Sequence, residues 1–539
     1  MTLKIIIALL YMIVVFWLGY KGWRETRMAT DYMLAGRRMN PYVMAMSYGA
    51  TFISTSAIIG FGGAAALFGF PLLWLTFLNI FVGIFIAMIF FGKRTRRMGV
   101  SLDAHTFPEL LGLRYQSRFI QGFSGLIIFL FIPVYAAAVL IGISRMLEVQ
   151  LGLSYNAAIL IFTAVLAVYV ISGGLKAVMY TDAFQGTVMF VMMAILVLFT
   201  YATLGGVTNA HQALTDMAPQ MPANLKAGGM LGWTQGAKGG SPLWLLIYTT
   251  IVYGVGIGVL AQPQLAVRFM TVRSDRELHR AVLFGGVFII AMTGIAFVVG
   301  ALSNVIFYNV TGKIAIAAAG GTVAKIIPKF VSEIMPDWFG ILFLLAMLAA
   351  SMSTLSSQFH VGGTSLGRDF YERGFTVSGG NEVTITRIGV GITIVLTLIW
   401  GLVMQPEPGA PPSPIIAQAT AFFFGLCAAA FLPAYFLGLY WKGMTKTGAI
   451  VSLVGGFCVS FWCLLFINAQ NAAAVGLCKS MYGVDSLAQL AAPGSGWWHF
   501  QFVDPNIIAL PISFILALVV SLATPKMDTE HLEKCWRHF

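Results

Sequence analysis

Apolar residues run through this chain in long blocks with few charges, each near the roughly 20 residues that carry an α-helix across a bilayer. Thirteen such runs are predicted, at about 3–20, 42–67, 72–92, 119–144, 156–171, 178–204, 244–262, 281–309, 338–366, 385–405, 414–438, 448–468 and 505–523. Between them lie short polar segments. The longest are 205–243 and 469–504, rich in Gly, Ala and Pro, and neither reaches the size of a soluble domain. Two shorter stretches read as surface helices: 101–118 on the inner side, and 313–330 on the outer side, closing at Pro328.

Two runs break the pattern of a continuous helix. The second contains Gly49-Ala-Thr-Phe-Ile-Ser-Thr-Ser-Ala-Ile-Ile-Gly-Phe-Gly-Gly63, polar and glycine-rich at mid-depth. The seventh contains Tyr253-Gly-Val-Gly-Ile-Gly-Val-Leu-Ala-Gln-Pro263, loosened by glycine and closed by proline. Each opens a block of five spans, and the two blocks start facing opposite ways. Interrupted helices at matching places in inverted halves point to a binding site at the membrane midplane. Glycine for close helix packing is the plainer explanation of either run alone; the matched pair favours a transporter.

The ninth run carries hydroxyls where hydrocarbon would be expected. At about 100° per residue, Ala350, Ser353, Thr354, Ser356, Ser357 and His360 share one arc of the helix, with Leu348, Met352, Leu355 and Phe359 opposite. Such an arc must face other helices or a wet cavity. Oxygens spaced i, i+3, i+4 can surround a small hard cation, although helical Ser and Thr also bond back to their own carbonyls. His360 is a candidate for the release path, against the commoner role of a packed histidine.

Charge placement sets the topology. Of the 32 Lys and Arg, 24 lie in or flank the segments that face inward if the first helix runs from outside to inside. Lys21, Arg24 and Arg27 follow the first run, which argues for an anchor with the N-terminus outside and the C-terminus cytoplasmic. The net charge of +12 is therefore mostly topogenic, and no nucleic-acid partner is required. A composition 58% hydrophobic and 10% charged, with mean hydropathy +0.85, excludes a water-soluble protein of this length. Only Cys478 lies in an outer segment, so no extracellular disulfide framework is expected. Metal-ligand clusters, nucleophile elbows and phosphate loops are absent from the sequence, which argues against an enzyme and against an organic cofactor.

Four segments carry a family likeness: Thr106-Phe-Pro-Glu-Leu-Leu111, Gly173-Gly-Leu-Lys-Ala-Val-Met-Tyr-Thr-Asp-Ala-Phe-Gln185, Gln262-Pro-Gln-Leu-Ala-Val-Arg-Phe-Met270 and Ala350-Ser-Met-Ser-Thr-Leu-Ser-Ser-Gln358. In this order and spacing the chain resembles the sodium/solute symporter family over essentially all thirteen runs. The resemblance implies an all-α integral membrane protein with a LeuT-type, five-plus-five inverted-repeat core, one helix before it and two after. The expected parts are 1–41 (first helix and basic loop), 42–204 (core helices 1–5), 205–243 (outer loop), 244–438 (core helices 6–10) and 439–539 (two extra helices and tail).

It also implies sites. The family's main sodium site falls on the carbonyls of Ala50, Ile53 and Ala350 and the hydroxyls of Ser353 and Thr354. A second sodium, used by some members, falls on Asp182, Ser356 and Ser357; helix-entry capping is the plainer role for Asp182. The implied solute pocket adjoins the helix 1 break, at Phe52, Ser54, Thr55 and Ser56, with Thr76 or Asn79, Tyr135, and Val255 or Val259 as neighbours. Arg268 is expected in an inner loop, with a structural or gating role. Arg145 and Glu148 are expected at the outer end of core helix 3, as snorkelling residues.

The expected activity is sodium-coupled symport of a small, partly apolar organic solute, such as a monocarboxylate, by alternating access. One or two Na+ would be the coupling ions, and the protein would work as a monomer in the lipid bilayer of a plasma membrane, here a bacterial inner membrane. Phe52, Val255 and Val259 stand where proline carriers place an acid and aromatics. Rival readings are a proton-driven carrier of the same fold, an amino-acid or vitamin substrate and, less favoured, a channel or sensor.

Overall fold

The computed structural model describes residues 2–25, 28–372, 382–405 and 412–539; Arg27 of the basic cluster lies outside the described residues. Almost every described element is helical. Ten described helices are long and apolar enough to cross a membrane, and a bent pair makes an eleventh span. The two other predicted runs fall on α1 (Thr2–Glu25) and on the shorter apolar α7 (Tyr155–Val168).

The first core helix is the bent pair. α2 (Pro41–Phe52) opens at Asn40, whose side chain accepts the Tyr42 N–H at 2.8 Å, with Pro41 in the first turn where its missing N–H costs nothing. It stops because Ile53 turns extended, at φ −91° and ψ 105°. The chain resumes as α3 (Ser56–Phe68), bent by 50° from α2. α3 is glycine-rich because its neighbours come very close: a Cβ on Gly60 would lie 2.3 Å from Ile416 Cγ2.

Five segments complete the first half: α4 (Phe70–Ser101), α5 (Phe107–Arg114), α6 (Arg118–Leu151), and α7 and α8 (Leu175–Thr203), which are two parts of one continuous helical run, Tyr155–Thr203. The segment between α8 and the next span is anchored to the core. Trp233, 1% exposed, donates its indole N–H to the Ala66 carbonyl at 2.8 Å, and Asn304 donates to the same oxygen at 2.8 Å. The cap demands glycine at position 69, where φ is +73° and a Cβ would meet the Trp233 carbonyl oxygen at 1.8 Å.

The second half opens with α9 (Pro242–Ala261), which tightens over its last turn and stops at Gln262 (φ −74°, ψ 116°). Pro263 then starts the seven-residue α10 (Pro263–Phe269), so the proline opens a helix as well as closing one. α11 (Asp275–Thr311), α12 (Ile326–Glu333), α13 (Asp337–Glu372), α14 (Thr384–Val403) and α15 (Ile415–Tyr440) follow, and α16 (Lys446–Phe466) pairs with α17 (Asn506–Ala523) beside them.

Two sequence expectations change. The inner stretch expected to lie on the surface holds α5, whose Phe107, Pro108, Glu109, Leu110, Leu111 and Arg114 are all buried, because both its apolar residues and its charges find partners inside. Pro328 does not close the outer stretch but sits in the first turn of α12, which runs on to Glu333; a proline is tolerated there because those N–H groups have no helical acceptor.

Candidate functional site

Where α2 unwinds, it meets the hydroxyl arc of α13. The Ile53 N–H still reaches the Gly49 carbonyl at 2.7 Å, but beyond it the helical ladder stops. The freed carbonyls are taken by α13: Ser353 donates to Ala50 O at 2.8 Å, and Thr354 donates to Ala50 O and Thr51 O, both at 3.1 Å. Ser353 also lies 3.3 Å from the Ala350 carbonyl. All of these residues are buried. Four of the five expected ion-site residues are thus joined by hydrogen bonds. Ile53 marks the extended break itself, and neither hydroxyl donates to its carbonyl among the described contacts.

One turn further along α13, the arrangement differs from a second ion cradle. Asp182 lies deep inside an unbroken helical run, Tyr155–Thr203, far from any helix entry it could cap. Its Oδ2 accepts from Ser47 at 2.7 Å and from Thr51 at 3.5 Å, and is 3.1 Å from the guanidinium of Arg268. Arg268 is fully buried on α10 and is not a loop residue, because the break at Gln262 turns α10 into the protein. Its other bonds reach Ser47 Oγ at 2.9 Å, Thr51 Oγ1 at 2.6 Å, Ser357 Oγ at 2.6 Å and the Gln264 carbonyl. Ser357 and Asp182 therefore share a guanidinium, while Ser356 bonds back to the Ser353 carbonyl at 3.1 Å. Spacing along the chain revealed none of this, since residues 182 and 268 belong to different halves.

Beside the break, Phe52, Ser54, Ser56, Asn79, Tyr135 and Val255 line a small cavity of about 20 Å³. Thr293 and Phe297 of α11 and Thr420 and Phe424 of α15 complete the walls, and Ser56 is 2.6 Å from Thr420. Sequence reasoning missed the α11 and α15 residues, because nothing in their spacing marks them apart from packing residues. Three expected members lie elsewhere. Thr55 donates to the Val139 carbonyl of α6 at 2.7 Å, Val259 packs toward Gly83, and Thr76 is buried outside the cavity wall with an unpartnered hydroxyl. No charged side chain lines the cavity, and the Asn79 amide oxygen is buried without a partner.

At the end that charge assigns to the inside, α5 is fastened to α13. Thr106 caps α5 by accepting the Glu109 N–H at 3.1 Å, and Glu109 accepts the His105 N–H at 2.8 Å. Arg368 donates to both Glu109 oxygens, at 2.9 and 3.2 Å, while Asp369 accepts from Thr106 at 2.7 Å and from Gln121 at 2.8 Å. Burial opposes ionisation of Glu109, yet its bonds with His105 and the adjacent Arg368 guanidinium hold the carboxyl down to about 2. His360 packs on Tyr32 with ring centroids 5.1 Å apart and lines a small cavity with His105, Phe107 and Val267. At the other end, Arg145 and Glu148 do more than snorkel: they pair at 2.7 Å, and Glu148 also meets Lys325 at 2.9 Å.

A bent helix whose freed carbonyls meet a hydroxyl-bearing partner across inverted halves defines an ion-coupled carrier of the LeuT-type fold. The family model for the sodium:solute symporter family matches residues 32–456, and the chain belongs to that family. It is 29% identical over 430 residues to the sodium/pantothenate symporter of Haemophilus influenzae, covering 79% of this chain and 82% of that one. It is equally 29% identical over 471 residues to the osmoregulated proline transporter OpuE of Bacillus subtilis, covering 86% and 89%. Among solved structures, a Na+-coupled sialic acid symporter in a substrate-bound, outward-open state superposes with a TM-score of 0.72 at 16% identity, over 97% of this chain and 98% of the other. The protein is thus a multi-pass membrane protein of a bacterial symporter family.

Proposed function

We propose that this protein imports a small, partly apolar organic monocarboxylate, driven by one Na+ held between α2 and α13. The observation that carries the reading is the bond set joining Ser353 and Thr354 to the Ala50 and Thr51 carbonyls across the helix break. Sodium is a hard cation that prefers oxygen, and unwound backbone supplies carbonyls that a regular helix would consume. With the ion present, both hydroxyls turn their protons away and offer lone pairs, so the ion replaces the bridging hydrogens and clamps the two helices.

A single coupling ion is favoured because Arg268 already neutralises Asp182 and engages Ser357. One Na+ crossing about 100 mV supplies roughly 2.3 kcal/mol, and a tenfold gradient adds about 1.4 kcal/mol. Together they support roughly 500-fold accumulation of a neutral solute, whereas for a monocarboxylate, whose charge cancels that of one Na+, the potential drops out and the gradient alone supports about tenfold.

The cavity supports the solute class: aromatic and aliphatic walls, a few hydroxyls, one unpartnered amide and the positive end of α3 for a carboxylate. Pantothenate and proline, the solutes of the two named relatives, each carry one carboxylate. At about 20 Å³ the cavity holds only a water-sized occupant, so entry of a solute requires the helices to part. The fastened α5 supports an inner gate that must release Arg368 from Glu109 before the solute leaves. The N-terminus outside, the C-terminus inside and a monomeric working unit belong to the same proposal.

Uptake of radiolabelled acids into proteoliposomes under an inward Na+ gradient tests it, with sugars, amino acids and vitamins as competitors. Saturable uptake of a monocarboxylate that collapses without the gradient is expected. Uptake driven equally well by a proton gradient without Na+ overturns it.

A further inference from the structure

A second small polar pocket lies between α9, α15, α16 and the residues leading into α17. At its head is Asp504, 4% exposed. Its backbone N–H donates to Thr249 Oγ1 at 2.9 Å, and one carboxylate oxygen accepts the Asn506 N–H at 2.8 Å. The carboxylate fills the space left by two bare backbones: a Cβ on Gly254 would lie 3.0 Å from Oδ2, and one on Gly425 would lie 3.3 Å from Oδ1. The sequence thus clears room on two core helices for this one charge.

Among the described residues no Lys, Arg or His pairs with Asp504, and a buried carboxylate without a counter-charge costs several kcal/mol. The rest of the wall is uncharged and mixes polar side chains with apolar ones such as Phe422, Leu426 and Leu464. Thr250 Oγ1 and Gln418 Nε2 are buried in the wall with no partner, and Ser460 adds a further hydroxyl. Gln418 holds Ser413 through its amide oxygen at 3.1 Å, and a flip of that amide would turn the oxygen inward while leaving Ser413 a donor to accept. The free space is about 10 Å³, room for one water-sized occupant and none for an organic solute.

We propose that this pocket binds one monovalent alkali cation, with Asp504 as its single charged ligand and the oxygens of Thr250, Gln418 and Ser460 beside it. One negative charge and neutral oxygens suit a single positive charge, whereas a divalent ion calls for more carboxylates or a larger, more open shell. The site ties the start of α17 to α9 and α15. It shares no residue with the Ser353 and Thr354 cradle, so it stands whichever ion drives transport.

The test is equilibrium binding of radiolabelled Na+ to the purified full-length protein, with K+ and Li+ as competitors. Asp504→Asn is expected to remove one saturable ion per chain, both in the wild-type background and in Ser353→Ala/Thr354→Ala. The second background separates this pocket from the coupling site: loss there on adding Asp504→Asn supports the proposal even if the cradle reading fails. Unchanged Na+ binding in Asp504→Asn overturns it. Should that variant fold poorly, Thr250→Val with Gln418→Leu is expected to weaken the same ion at least tenfold. In addition, Tl+ soaked into wild-type crystals is expected to give an anomalous peak at the carboxylate. Absence of that peak also overturns the proposal.

Discussion

The guanidinium of Arg268 stands 3.1 Å from the carboxylate of Asp182, with both side chains wholly buried and drawn from opposite halves of the fold. The charges are tolerated at this depth because each stands beside the other and Ser47, Thr51 and Ser357 bond to the guanidinium or to Asp182 Oδ2, while Asp182 Oδ1 is buried without a partner. Removing one partner strands the other. Arg268→Ala and Asp182→Ala are each expected to destabilise the protein by about 3–5 kcal/mol. The double variant is expected to lose much less than the sum, as a thermal-unfolding cycle in detergent would read.

The same pair bears on ion count. With Asp182 and Ser357 engaged by Arg268, sodium activation of uptake is expected to be hyperbolic, with a Hill coefficient of about one. A sigmoidal sodium dependence in initial uptake rates would show that a second ion finds room.

Asn79 offers an unpartnered amide oxygen to the cavity, whereas Thr55 spends its hydroxyl on the Val139 carbonyl. Asn79→Leu is expected to raise the half-saturating solute concentration about tenfold, the worth of one hydrogen bond to a polar partner, with sodium dependence unchanged. Thr55→Val should affect stability and leave solute affinity within about twofold. Concentration series of uptake at saturating sodium distinguish the two.

The fastening of α5 to α13 depends on an ionised Glu109. Its carboxyl is held at about 2 in the folded protein, below the ordinary value near 4.5, so the stability it contributes is fully present above about pH 4.5. That contribution is lost as pH falls from about 4.5 toward about 2. Hydrogen exchange is expected to show α5 amides losing protection over that window in wild type. Glu109→Gln is expected to loosen α5 already at neutral pH.

Much of this architecture could be read from the chain because hydrocarbon leaves few options: twenty apolar residues either span or are buried, and glycine with polar residues at mid-depth signals a break. The hydroxyls at 353 and 354 were legible for the same reason, and the bonds to Ala50 and Thr51 match their arc. Arg268 was misplaced because a basic residue just after a proline resembles loop sequence, and only the fold reveals the acid awaiting it. Pro328 misled in the same way, since a proline marks a helix boundary without saying which end. Asp504, sitting in a Gly- and Pro-rich outer segment, carried no signal until Gly254 and Gly425 were seen facing it.

The most direct measurement is the sodium dependence of solute uptake by Ser353→Ala/Thr354→Ala in proteoliposomes, with the amount of correctly folded protein checked by thermal unfolding. The account predicts that the half-activating Na+ concentration rises more than tenfold, or that sodium stimulation vanishes, while folding is retained. Sodium activation identical to wild type in that variant would contradict it.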